Sequence, residues 1–104
     1  MGRRFKCSEA DAPRELERLR EAIDRVDEVL VSLLNQRAKY AVEIGTIKGV
    51  LNLPIYSPER EKSVLANVEQ LSEGPREMPA VRRLFERIID ESRRVERESS
   101  VDEG

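Results

Sequence analysis

From Leu16 onward, apolar side chains recur at spacings of three and four. The stripe reads Leu16, Leu19, Ile23, Val26, Leu30, Leu33, Arg37, Tyr40, Ile44, Ile47 and Leu51. These eleven positions hold one register without a slip, which predicts a single long helix packed along a seam against other helices. Arg37 is the only charged residue in the stripe. A buried, unpaired guanidinium is costly, so something anionic has to meet it, either a carboxylate of the protein or a ligand.

Pro13 suits the first turn of this helix, and Asn52-Leu53-Pro54 ends it, because the residue before proline disfavours helix. Ser57 and Pro58 then read as N-cap and first residue of a second helix, with Glu59 near its positive end. Its apolar face is Val64, Leu65, Val68 and Leu71, and Gly74-Pro75 closes it. Pro79 opens a third helix carrying Val81, Leu84, Phe85, Ile88, Ile89, Ser92 and Val95. Ser92 and Glu96 interrupt that face one turn apart, which makes them neighbours. Residues 1–12 and 99–104 read as flexible tails around a helical domain spanning 13–98, the chain being frayed from Ser99 onward. No strand pattern and no internal repeat is present, so the fold class is all-α, three helices with one very long first helix. A helix of nearly 40 residues extends about 55–60 Å, whereas a compact domain of this size has a radius of gyration of about 13 Å. Two ordinary helices cannot cover such a seam, and an intertwined homodimer is expected.

Composition narrows the options. The chain has 104 residues, no Trp, two Phe and two Tyr, so aliphatic side chains must build the core of one small domain. Nineteen basic residues against 21 acidic ones give a net charge of −2, unlike a generic nucleic-acid surface. A single cysteine, Cys7, excludes an intrachain disulfide and fits a reducing compartment. No apolar run approaches the roughly 20 residues of a membrane span, and no signal-peptide core follows Met1. A soluble, cytoplasmic protein with neither nucleic acid nor membrane as partner is expected.

Candidate chemistry gathers on the charged positions. Arg37 and Lys48 lie 11 residues apart, about 20° around the helix and roughly 16 Å along it, so two long side chains can converge on a small anion. Arg20 sits roughly 25 Å from Arg37 along the axis and reaches such a pocket only from an antiparallel partner chain. Each residue has a plainer reading. Arg37 can pair with an interchain Glu, Lys48 can be solvated, Arg60 and Glu61 can be first-turn charges, and Ser92 can be a tolerated small residue. The chain contains no histidine, no Cys/His cluster for zinc and no glycine-rich phosphate loop. An enzyme made from these parts works by orientation and electrostatics, with no covalent or metal step.

These residues resemble a known family. The run Leu19-Arg20-x-x-Ile23-x-x-Val26-Asp27-x-x-Leu30-x-x-Leu33-Leu34-x-x-Arg37 is similar to the first helix of the all-helical, AroQ-type chorismate mutases. Ala41-Val42-Glu43-Ile44-Gly45-x-x-Lys48 and Pro54-Ile55-Tyr56-Ser57-Pro58-Glu59-Arg60-Glu61 continue the likeness, which covers roughly residues 13–98. The resemblance implies a pericyclic rearrangement of chorismate to prephenate, toward phenylalanine and tyrosine, without cofactor or covalent intermediate. It implies that Arg37 and Arg20 of the partner subunit grip the two substrate carboxylates, and that Lys48 donates to the ether oxygen. Glu61 would accept from the ring hydroxyl, Arg60 would brace the pocket and Ser92 would sit near a carboxylate.

Two positions depart from the commonest pattern. Ser57 stands where many members have Asp, at a contact made partly through backbone. Glu96 stands where Gln often donates to the ether oxygen. An ionised carboxylate cannot donate, so Glu96 is expected to act protonated, with activity falling as pH rises past neutrality and restored there by Glu96→Gln. Two other readings share parts of the pattern: an isochorismate pyruvate lyase on the same helical dimer, and a mutase-like module that only dimerises or regulates. The Pro54–Glu61 stretch is closer to the mutases, and a scaffold has no need of Arg20, Arg37 and Lys48 together.

Overall fold

The computed structural model describes residues 7–72 and 78–101. It consists of three helices, α1 (Ala12–Leu51), α2 (Pro58–Leu71) and α3 (Met78–Val101), with no strand among the described residues. The expected all-α class, with three helices and the first by far the longest, is what the described residues adopt. It divides into two compact units, residues 1–37 and 38–104, so the division falls inside α1.

In the first unit the start of α1 is fixed locally. The Ser8 carbonyl accepts the Asp11 and Ala12 N–H groups at 3.1 and 2.9 Å, and the Asp11 carbonyl accepts Glu15 N–H at 2.9 Å. The Ser8 hydroxyl donates to Asp11 Oδ2 at 2.9 Å. Asp11 is therefore the N-cap, and Pro13 takes the first turn, where its missing N–H costs nothing. Part of the stretch expected as a tail thus builds this cap, while residues 1–6 lie outside the described residues. Along the helix, Ile23, Val26, Leu30 and Leu33 are each about half exposed or more. Residues 7–37 contain the first part of α1 and no second helix or strand.

In the second unit the end of α1 packs on an unexpected face. Tyr40, Ile44, Ile47 and Leu51, the expected seam, remain substantially exposed. The buried positions are Ala41 and Gly45. A Cβ placed on Gly45 would lie 2.7 Å from Glu96 Cα, and one on Gly49 would lie 3.1 Å from Ser100 Oγ. The backbones of α1 and α3 therefore meet where α1 has almost no side chain, a closer approach than any leucine or isoleucine allows.

Asn52 closes α1 in the left-handed conformation, with φ 58°. Leu53 N–H donates to the Lys48 carbonyl at 2.8 Å and Asn52 N–H to that of Gly49 at 3.3 Å, the two bonds of a Schellman cap. Pro54 follows, so the expected stop is correct but asparagine carries it. Ser57 is the N-cap of α2 by position, and its carbonyl accepts Glu61 N–H at 3.0 Å. Its hydroxyl, however, makes no capping bond, contrary to the role expected of it. Pro58 in the first turn already fixes φ and removes one donor that needed a cap.

Helix α2 ends at Leu71 with Ser72 N–H bonded to the Val68 carbonyl at 3.1 Å, and Gly74-Pro75 lies outside the described residues. Its inner side, Val64, Leu65 and Val68, is half-buried, and the helix packs on α3, where Ile89 is buried. Arg82 and Glu69 join the two helices at 2.9 Å. Helix α3 runs to Val101, past the end expected near Ser99. Among the described residues no helix is long and apolar enough to cross a membrane.

Candidate active site

Four elements of the second unit bring charged groups together: the end of α1, the Asn52–Ser57 connection, the first turn of α2 and the middle of α3. Lys48 lies in the last turn of α1, where a cation complements the negative end of the helix. Its Nζ donates to Glu96 Oε1 at 2.7 Å and to the Ile55 carbonyl at 2.8 Å. The two side chains keep only 18% and 15% of their exposure, so each charge depends on the other for compensation. An ammonium has three donors, and this geometry commits two of them.

One turn before Glu96 on the same face of α3, Arg93 reaches Glu61 at the start of α2. Its Nη2 donates to Glu61 Oε1 at 2.7 Å and to Oε2 at 2.8 Å, and its Nε donates to Oε2 at 3.0 Å. The Arg93 guanidinium also lies 5.1 Å from the centroid of the Tyr56 ring. The fork from Glu61 pushes the Arg93 pKa up from its ordinary value, with burial opposing it. The two ion pairs thus flank neighbouring residues of one connection, Ile55 held by Lys48 and Tyr56 covered by Arg93.

The remaining candidates are placed less directly. Arg60 is exposed, and its nearest side-chain partner is Ser63 Oγ at 3.5 Å. The Ser92 hydroxyl donates to the Ile88 carbonyl at 3.0 Å, on the α3 face that carries Glu96. In the first unit Arg20 is exposed and Arg37 half-buried on α1. The structure therefore unites Lys48 with Glu96 and sets Glu61 beside them through a residue not singled out in the sequence, Arg93. The signal for Arg93 was weak, since it stands in a run of mixed charges beside Arg94, whose ion pairs to Glu91 and Glu98 are all local and exposed.

The small helical fold thus sets a cation, a carboxylate and a guanidinium-forked acceptor around one connection, an arrangement able to hold a polar, anionic small molecule through charge and orientation. The particular family follows from comparison. The family model described as Chorismate mutase type II matches residues 19–97, and the chain belongs to that family. It is 50% identical over 58 residues to a bifunctional chorismate mutase/prephenate dehydratase of Aquifex aeolicus, covering 56% of this chain and 16% of that protein. It is 40% identical over 82 residues to the same kind of protein from Neisseria gonorrhoeae, covering 79% and 22%. The chain thus spans about a fifth of the length of these relatives. Among solved structures, a chorismate mutase of Thermus thermophilus matches with a TM-score of 0.77 and 34% identity, over 79% of this chain and 93% of that one.

Proposed function

We propose that this chain is a chorismate mutase, converting chorismate to prephenate by a pericyclic shift toward phenylalanine and tyrosine. Membership of the family gives the reaction class. The observation that carries the reading to these residues is Lys48, a half-buried cation fixed by Glu96 and the Ile55 carbonyl with a donor direction left for an incoming oxygen. As the C–O bond of the substrate breaks, negative charge grows on the ether oxygen. A fixed donor at that point, already desolvated, favours the transition state over the ground state, an effect worth roughly 10²–10³ in rate per donor.

In this reading Arg37 and Arg20 of the partner subunit hold the two carboxylates, Glu61 accepts from the ring hydroxyl, and Ser92 lies near a carboxylate. Arg60 braces the pocket and Ser57 contributes through its backbone. Glu96 stands at the ether oxygen together with Lys48. The site is completed in an intertwined homodimer, in which the exposed stripe of the first unit pairs with a second copy. A single cysteine fits a cytoplasmic location.

Proton NMR of the purified protein with chorismate, and separately with isochorismate, tests the reaction. Prephenate formed from chorismate above the uncatalysed background is the expected result. Salicylate and pyruvate formed from isochorismate alone would replace the mutase by a lyase, and silence with both would remove the enzyme reading.

A further inference from the structure

Glu61 cannot act as a well-aimed acceptor unaided. It sits in the first turn of α2, at a helix start whose N-cap side chain makes no capping bond. A glutamate there has three rotatable bonds and two equivalent oxygens, so its lone pairs sample many directions. The Nε–H and Nη2–H groups on one edge of Arg93 remove that freedom. Nη2 bridges both oxygens at 2.7 and 2.8 Å, and Nε binds Oε2 at 3.0 Å. A carboxylate offers about four lone-pair directions; the two N–H groups of this edge take two of them, and the planar fork fixes the angle of those that remain.

Arg93 is itself held. Its Nη1 lies 3.4 Å from Asp90 Oδ1, and the Tyr56 ring is 5.1 Å from its guanidinium carbon. Only an arginine can do this, since a planar fork matches a carboxylate on one edge while its face lies over a ring. The arrangement also ties the acceptor to the donor side of the site. Arg93 and Glu96 are one turn apart on α3, while Tyr56 follows Ile55, whose carbonyl binds Lys48.

We infer that Arg93 is a positioning residue: it locks Glu61 so that one lone pair faces the ring hydroxyl of the bound substrate, and it acts on the reaction only through Glu61. The inference rests on the mutase reading above and deepens it. Its experiment compares wild type with Arg93→Gln and Arg93→Lys, using chorismate and a chorismate analogue lacking the ring hydroxyl, with thermal unfolding recorded for each protein.

Arg93→Gln should lower kcat/KM for chorismate about tenfold, the scale of a misaimed catalytic contact, and should change the analogue's value by less than about twofold. Arg93→Lys, a cation without a fork, should fall between. In a Glu61→Gln background, Arg93→Gln should add no further loss with chorismate. Equal losses on both substrates, or additive losses in the double variant, would mean that Arg93 only supports the fold and would overturn the inference while leaving the mutase standing. Wild type inert toward chorismate would overturn the mutase reading and this inference with it. Should Arg93→Gln fail to fold, the same comparison made with Arg93→Lys decides.

Discussion

Glu96 has to satisfy two demands at once. As a carboxylate 2.7 Å from Lys48 Nζ it compensates a half-buried cation. At an ether oxygen that gains negative charge, the same carboxylate opposes the reaction, whereas a protonated acid can donate to it. Glutamine gives up the counter-charge but keeps an acceptor for Lys48, and its amide donates at every pH. Glu96→Gln should therefore raise kcat/KM for chorismate by about tenfold, the scale of one transition-state donor. An unchanged or lowered kcat/KM in Glu96→Gln would refute this role. Lys48, Glu61 and Glu96 were legible as candidates because a resemblance picked them out of many charges. Arg93 was not, because its partner Glu61 is 32 residues away and sequence alone does not separate it from Arg94, whose neighbours at i−3 and i+4 satisfy it in solvent.

At the level of elements, the number of helices and their boundaries were legible within a few residues, since prolines and a three-and-four period mark them. The packing face of α1 was not. Large apolar residues advertise a seam at Tyr40, Ile44, Ile47 and Leu51, yet within the second unit α3 chooses the face of Ala41, Gly45 and Gly49. A glycine inside a helix normally weakens it, so its value emerges only from the neighbour it admits. Gly45→Ala shows which effect wins. Helix propensity favours alanine by about 1 kcal/mol. Against that, the new methyl would overlap the Glu96 backbone, 2.7 Å from its Cα, where no flexible side chain can yield. Overpacking of this kind costs about 1–3 kcal/mol, and α3 must shift together with Glu96. Gly45→Ala should therefore lower the Tm by several degrees and reduce kcat, measured by thermal circular dichroism and chorismate turnover. A raised Tm with unchanged kcat would show that the helices part without cost and that their contact does not set the Lys48–Glu96 pair.

For the whole molecule the decisive fact is apolar surface. Ile23, Val26, Leu30 and Leu33 stand exposed along the first unit, and Ile44, Ile47 and Leu51 along the second. Each such side chain gains about 1.5–3 kcal/mol when removed from water, and a long helix owes most of its stability to packing of that kind. In the proposed homodimer a second copy would offer the same stripe in return, because a two-fold pairing places like surfaces together. The proposed antiparallel pairing would also account for the position of Arg20. It lies roughly 25 Å from Arg37 along α1 and can meet a site built around Arg37 only when it comes from the partner subunit. Arg37→Ala should then abolish turnover without dissociating the dimer, and so should Arg20→Ala, since each homodimer lacks one carboxylate grip in both sites. In a mixed heterodimer the two lesions fall in the same site, one from each chain, and the other site carries both native arginines. Differently tagged variants, co-refolded and isolated as heterodimers, should therefore recover up to about half of wild-type activity per dimer. Heterodimers that stay as inactive as the two parents would assign Arg20 and Arg37 to a site within one chain, and the shared pocket would have to be given up.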